Sequence, residues 1–397
     1  MDQNLRDLAS RCLGCKAPRC EAFCPAGNAI VSVLSLLKLG KEEEAATSLY
    51  EANPFPELTS VLCDHARQCK GHCVRGLSGE PVDFPSVEKT LRYLYPRPLG
   101  KKRENGRSIA LVGAGPANLA LGYYLLRQGY RVAFFEKEEG IGGAILTGIP
   151  SFRFDKSVLQ GIQEDLLALG ASFSFNTSIG ENNPLSALFS SFDRVVLGVG
   201  ASKENLLSFP KAKGILGGLS YLSEGEKKEP LDHVYVMGGG NVALDCARLA
   251  KRRHGNATIL YRRDEASMHA SRDEIEAAIQ EGVVLCPLKT VQDVVIQNGI
   301  LTEIVTVSMS LGDLDASGRR SPKEIPGSEE TLPADKLILA TGEKPDLAKI
   351  DPRLASFSDS VSMEGLFLNG DCAYGAKNIA RAIKSAKEVF QAIEESF

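Results

Sequence analysis

The 397-residue sequence predicts an α/β chain: a helical, cysteine-rich N-terminal region followed by two Rossmann-like units. Three observations predict this. Seven of the ten cysteines lie between Cys12 and Cys73, among apolar residues at helical spacing. A strand pattern at Ser108–Val112 runs into Gly113-Ala114-Gly115 and an apolar helix. The same succession returns at residues 233–237, which lead into Gly238-Gly239-Gly240. Strands alternating with crossover helices build parallel sheets.

The elements follow in order. Residues 30–39 are apolar at helical spacing, Gly40 breaks them, and residues 42–51 read as a second helix. Asn53-Pro54-Phe55-Pro56 ends the pair, because proline lacks the amide donor a helix interior needs. Residues 96–106, rich in Pro, Gly and basic side chains, read as a linker. The first α/β unit has its strand at Ser108–Val112, a helix over 119–127 and a strand over 132–135. The second has a strand over 233–237, a helix over 244–253 and a strand at Thr258–Tyr261.

Composition bounds the partners. A net charge of −4 without a basic stripe gives no footprint for nucleic acid. No apolar run is long enough to span a bilayer. Met1-Asp2-Gln3-Asn4 does not begin a secretory signal. Many cysteines without an export signal point to metal or redox use in a reducing cytoplasm, not to disulfides.

The first cysteine bunch reads C-x2-C-x4-C-x3-C-P (Cys12, Cys15, Cys20, Cys24) and the second C-x5-C-x3-C (Cys63, Cys69, Cys73). Thiolates so spaced, with proline after the fourth, hold iron–sulfur clusters. Two [4Fe–4S] clusters need eight ligands. The cysteine before the proline serves the other cluster in two-cluster patterns. Cys12, Cys15 and Cys20 then take one cluster, to which Cys73 returns, and Cys24 joins Cys63 and Cys69 on the second. The eighth ligand is open among Asp64, His65, His72, Glu80 and Glu88. Structural zinc is the competing reading, but only Cys12 and Cys15 form the C-x2-C pair it favours.

In the first glycine turn, Gly113 permits the bend and Gly115 lets backbone approach a pyrophosphate attracted by the helix N-terminus. Glu136 ends the next strand, where a carboxylate accepts from an adenosine ribose. Asn118 stands at the third glycine position, which predicts a slightly displaced helix. In the second turn Gly238, Gly240 and Ala243 fill the three roles. Its next strand ends in Arg262-Arg263 instead of an acid, which suits the 2′-phosphate of NADPH over NADH. The alternative is a solvated strand end.

These residues resemble the family of the bacterial glutamate synthase small subunit, over essentially the whole chain. The chain is similar also to the N-terminal half of dihydropyrimidine dehydrogenase and its separate bacterial flavoprotein subunit, and to the large subunit of electron-bifurcating ferredoxin:NADP oxidoreductase. The resemblance rests on Arg11-Cys12-Leu13-Gly14-Cys15, Asn53-Pro54-Phe55-Pro56-Glu57 and Val112-Gly113-Ala114-Gly115-Pro116-Ala117. It continues in Gly142-Gly143, Gly148-Ile149-Pro150-Ser151-Phe152-Arg153, Gly238-Gly239-Gly240-Asn241, Asp245-Cys246-Ala247, Tyr261-Arg262-Arg263, Ala340-Thr341-Gly342 and Gly370-Asp371. Asp64 after Cys63 and His269 after Met268 replace the family's usual prolines.

The resemblance implies FAD at the first turn and NAD(P)H at the second, with the nicotinamide domain inserted in the flavin domain. The implied domains are 1–105 for the clusters, 106–225 and 343–397 for FAD, and 226–342 for NAD(P)H. It implies further cofactor contacts at Pro116, Ala117, Lys137, Gly143, Ile149, Arg153 and Gly200. Others fall at Asn241, Val242, Thr341, Gly342, Gly370 and Ile379. Asp371 would bond the flavin ribityl chain, and a helix beginning near Asn378 would direct its positive end at the flavin. Glu88, after a proline-led run, would be the eighth cluster ligand.

The function so implied is an electron-transfer subunit. It takes hydride from NADPH, or NADH, onto FAD and passes single electrons through two clusters to a separate catalytic subunit. Hydride transfer needs no general base, so the five histidines read as structural or solvated. A disulfide reductase would need a cysteine pair by the flavin, and Cys246, Cys286 and Cys372 are isolated. The remaining rivals are a redox-sensing interaction module, and a dihydropyrimidine dehydrogenase or sulfur reductase subunit.

Overall fold

A computed structural model describes residues 3–180, 182–225, 227–315, 318–355 and 364–397. The N-terminal region is helical: Gln3–Ser10, Ile30–Lys38, Glu42–Ala52, Pro56–Leu62 and Phe84–Leu94, with short turns between. Their apolar faces meet in a core of Leu5, Val33, Leu34, Leu37, Leu49, Val87 and Leu91. Cys12, Cys20, Cys24 and Cys73 pack against that core. Glu42, Glu43 and Glu44 occupy the first turn of their helix, where its dipole favours acids. Pro56 ends one helix pair by starting the next helix, the position where its missing amide costs nothing.

The chain forms two compact units: residues 1–146, 154–201 and 345–397 make the first, and residues 147–153 and 202–344 the second. The first contains the helical region and a five-stranded parallel sheet. Its order is Leu366–Leu368, Arg194–Leu197, Ser108–Val112, Arg131–Phe135, Ser172–Ser174. The second unit has the same kind of sheet, ordered Ile215–Gly217, Lys336–Leu339, Val234–Met237, Thr258–Tyr261, Val284–Pro287. In both, the strand carrying the glycine turn lies centrally, so the turn emerges at a sheet edge point where ligands bind doubly wound folds.

Two expectations shift. The boundary at 225/226 moves to 201/202, because Ile215–Gly217 hydrogen-bonds to Lys336–Leu339 of the second sheet. Residues 96–106 are not a loose tether either. Arg97 is buried, donates from Nε to the Pro54 carbonyl at 2.7 Å, and ion-pairs with Glu57 and Asp165.

The second unit also carries an antiparallel sheet of Lys289–Gln297, Ile300–Leu314, Arg320–Glu324 and Glu330–Pro333. Asn298 and Gly299 join the first two strands with φ of 53° and 77°, the left-handed pair a tight hairpin requires. Among the described residues no helix is long and apolar enough to cross a membrane.

Candidate functional site

The cysteines sort into two groups by folding alone. Cys12 leaves the first helix, and Gly14, at φ 65°, turns the chain so that its amide donates to the Cys12 sulfur at 3.4 Å. Cys12, Cys15, Cys20 and Cys73 line one cavity, with Ile30, Leu34 and Phe84 behind them. Burial pushes the Cys20 thiol up to about 11, and Glu21, Cys73 and Cys12 close by add to this. The Val82 amide approaches the Cys73 sulfur at 3.5 Å.

Cys24, Cys63 and Cys69 share the electrostatic influence of Glu88. Burial pushes Cys63 well up, with Glu88, Cys24 and Cys69 as the next contributors. Cys69 rises to about 12 by burial, then through Glu88 and Cys24. Cys69 also borders the first cavity, so it lies between the groups, but its strongest neighbours are those of the second. Cys24 is raised by burial, against amides of Asn28, Gly27 and Ala26 that favour its thiolate.

Glu88, on the helix Phe84–Leu94, is 3% exposed. Burial lifts its carboxyl to about 7, opposed by three donors to its Oε1: Thr59 Oγ1 at 3.0 Å, Asn28 Nδ2 at 2.9 Å and Asn53 Nδ2 at 3.1 Å. The other candidates for the eighth place are engaged or exposed. His65 Nε2 meets the Thr59 carbonyl at 3.0 Å, and His72 stacks on Phe23 with Nδ1 on the Gln68 carbonyl. Asp64 pairs with Arg67, and Glu80 is exposed. Desolvated thiols beside a desolvated carboxyl fit a cationic iron centre that takes up their charge.

In the first glycine turn the residues fit a dinucleotide. A Cβ on Gly113 would come 2.6 Å from the Gly198 carbonyl oxygen, whereas one on Gly115 would meet nothing nearer than the Gly143 Cα at 4.0 Å. Gly113 is thus required by chain crossing, and Gly115 faces open space in which a pyrophosphate fits. Pro116 and Ala117 begin the helix Pro116–Arg127 behind that space. Glu136 is buried, and accepts the amides of Ala114 at 2.6 Å and Glu138 at 3.0 Å. Lys137 beside it is exposed.

Asn118 does not simply displace its helix. Its Nδ2 donates to the carbonyls of Val112 and Gly113, both at 2.9 Å, and its Oδ1 accepts from Asn369 Nδ2 at 3.0 Å. Gly198 leaves the room: a Cβ there would lie 2.3 Å from the Asn118 amide carbon. Asn369 in turn accepts from Ser385, whose oxygen takes the Gly370 amide, both at 2.8 Å. This ladder sets Gly370, at φ 73°, against Ala117. Asp371 follows, its carboxyl raised by burial and accepting the Lys377 amide at 3.2 Å. Asn378 caps the helix Ile379–Glu395 by accepting the Arg381 amide at 3.0 Å. Gly143 at φ 53° and Gly200 at φ 68° complete the turns near this sheet.

Ile149 and Arg153 lie in the second unit. Arg153 ion-pairs with Asp245 at 2.5 Å and Glu274 at 3.0 Å.

The second turn repeats the logic. A Cβ on Gly238 would meet the Ala340 carbonyl at 2.2 Å, and one on Gly239 the Tyr261 ring at 2.4 Å. Gly240 has open space and caps the helix Asn241–His254. Asn241 Oδ1 accepts the Ser271 amide at 3.1 Å, and Val242 stands half-buried beside it. Thr341 donates to the Asn205 carbonyl at 2.7 Å, ahead of Gly342 at φ 106°.

Arg262 and Arg263 part company. Arg262 is exposed at the strand end, but Arg263 is 5% exposed and bound to Asp315 at 2.9 Å and the Arg320 carbonyl at 2.9 Å. Cys246 and Cys372 lie in different units, both buried and donating to carbonyls, so they form no redox pair.

Two family models match the chain. Residues 2–94 match the family model of dihydropyrimidine dehydrogenase domain II, 4Fe-4S cluster, and residues 107–388 that of pyridine nucleotide-disulphide oxidoreductase. The chain is 32% identical to the glutamate synthase [NADPH] small chain of Escherichia coli, over 97% of this chain and 90% of that one. It is 32% identical to the NADPH-Fe(3+) oxidoreductase subunit beta of Geobacter sulfurreducens, over 84% of this chain and 52% of that one. FprA of Mycobacterium tuberculosis, solved in complex with NADPH, shares the fold with a TM-score of 0.62 at 17% identity, over 73% of this chain and 84% of that one.

Proposed function

This chain belongs to the family of the NADPH glutamate synthase small chain, and from that membership we propose that it is the electron-input subunit of a larger enzyme. FAD seats on Gly113–Ala117 with Glu136 and Asp371, and NADPH on Gly238–Val242 with Arg262 toward its 2′-phosphate. Cys12, Cys15, Cys20 and Cys73 hold one [4Fe–4S] cluster. Cys24, Cys63, Cys69 and Glu88 hold the second. The bound groups supply hydride acceptance and one-electron carriage, and the chain positions them and limits solvent access.

One observation carries the reading. Cys12, Cys15, Cys20, Cys69 and Cys73 line one cavity, inside the compact unit that also contains the flavin-type glycine turn. A chain with an entry for hydride, one-electron centres beside it and redox cysteines elsewhere absent as a pair is suited to splitting electron pairs for a partner. The test is anaerobic purification with iron, sulfide, zinc and flavin analysis. Two clusters and one FAD per chain are expected, with bleaching by NADPH faster than by NADH at equal low concentration. Stoichiometric zinc with little iron overturns the cluster assignment.

A further inference from the structure

The Asn53-Pro54-Phe55-Pro56 segment does more than end a helix pair. Asn53 is fully buried at the end of Glu42–Ala52, and its Oδ1 accepts the Phe55 amide at 3.0 Å. That bond fixes which way the amide points. Nδ2 is then aimed inward and serves both Thr59 Oγ1 at 2.6 Å and Glu88 Oε1 at 3.1 Å. With its oxygen accepting from Asn53, the buried Thr59 hydroxyl gives its one proton to Glu88 Oε1 at 3.0 Å.

Asn28 approaches from before the helix Ile30–Lys38 and brings a third donor at 2.9 Å. Its own Oδ1 is buried without a partner, yet the opposite amide orientation would set that oxygen against Glu88. Three segments of the helical region thus converge on one carboxylate oxygen of a fourth. All three hydrogen bonds to Glu88 fall on Oε1, and its charge is felt by the Cys24, Cys63 and Cys69 thiols.

We infer that Asn28, Asn53 and Thr59 are positioning residues for the second cluster: by occupying Oε1 of Glu88 they leave Oε2 as its ligating oxygen, and they set that cluster's reduction potential. The inference rests on the reading of Glu88 as the eighth ligand. Donors to a ligand withdraw negative charge from the iron, and hydrogen bonding and net charge are main determinants of cluster potential. Removing a donor leaves more charge on Oε2, stabilises the oxidised cluster and moves its midpoint to more negative values.

The experiment is a redox titration of the holoprotein, followed by low-temperature EPR, with iron counted in every sample. Thr59→Val keeps the shape and deletes the hydroxyl; Asn28→Leu is the second variant, should the first fail to fold. Each is expected to lower one cluster's midpoint by about 59 mV, a tenfold change for a one-electron couple, with the other midpoint and FAD content unchanged. Thr59→Ser is expected to restore the wild-type value. Glu88→Ala separates the two readings. If Glu88→Ala leaves both signals and the iron intact, the ligand assignment fails and the inference with it. If Glu88→Ala removes one signal, but Thr59→Val and Asn28→Leu leave both midpoints in place at full iron content, the positioning role alone is refuted.

Discussion

Asn118 occupies a position where the glycine-turn pattern has its third glycine, and its partner Gly198 supplies the missing space. The two residues are a matched pair: the larger side chain at one site is accommodated by the absent Cβ at the other. Gly198→Ala should therefore destabilise the first unit by about 1–3 kcal/mol through overpacking. Asn118→Ala should also destabilise it, by removing its bonds to the Val112 and Gly113 carbonyls and to Asn369 Nδ2. Combined, the two should cost less than their sum, because the alanine at 118 vacates the space the new methyl needs. Denaturant melts of the four proteins, with FAD content as a second readout, measure the coupling; strict additivity would refute the pairing. Arg262 and Arg263 make the second residue-scale case. Arg262→Ala should weaken NADPH by about 1.5–3 kcal/mol, the range of a charge-assisted bond, and leave NADH nearly unchanged. Arg263→Ala should instead lower stability, since it removes a buried guanidinium's ion pair with Asp315 and its bond to the Arg320 carbonyl. Titration of flavin bleaching with both nucleotides separates the outcomes, and equal loss for NADPH and NADH in Arg262→Ala would remove Arg262 from the phosphate.

At the scale of elements, much of the architecture was readable because periodicity and glycine punctuation are local. The paired strand–turn–helix units and the break at Pro54-Phe55-Pro56 needed only neighbouring residues. The antiparallel sheet was missed although Asn298-Gly299 between β-branched runs is a hairpin signal. The boundary at 201/202 was not readable, since it depends on Ile215–Gly217 pairing with a strand more than a hundred residues later. Likewise no spacing rule shows that Arg263 meets Asp315, or that Asn28, Asn53 and Thr59 meet on Glu88. Long-range partners of polar side chains are properties of the packed chain. The cysteine region shows the reverse dependence, of packing on ligation. Its core is small and built against Cys12, Cys20, Cys24 and Cys73, with raised thiols at its centre. Removing iron leaves those groups buried with no charge partner. Cluster-free protein should thus lose hydrogen-exchange protection in helices Gln3–Ser10, Ile30–Lys38 and Phe84–Leu94, while the strand Val234–Met237 keeps its protection. Equal protection with and without iron would show that the helices stand on their apolar contacts alone.

For the whole molecule, the question is whether hydride entry and electron exit can be separated. The glycine turns lie on two sheets of like strand order, and the cysteine groups on a helical region that neither sheet includes. Damage to the second cysteine group should therefore spare nucleotide chemistry. Cys63→Ser removes one sulfur from a buried site. This variant is expected to hold FAD, to be bleached by NADPH at the wild-type rate, and to reduce artificial dyes. It should fail to deliver electrons to the partner subunit, which native pull-down and mass spectrometry would identify. The wild-type chain alone should likewise reduce dyes without turning over glutamate precursors or pyrimidines. Two results would count against the separation. One is a Cys63→Ser protein that still drives its partner at the wild-type rate, which would route electrons from flavin past the second cluster. The other is efficient turnover of an organic substrate by the isolated chain, which would place the whole reaction, and not its input half, in this polypeptide.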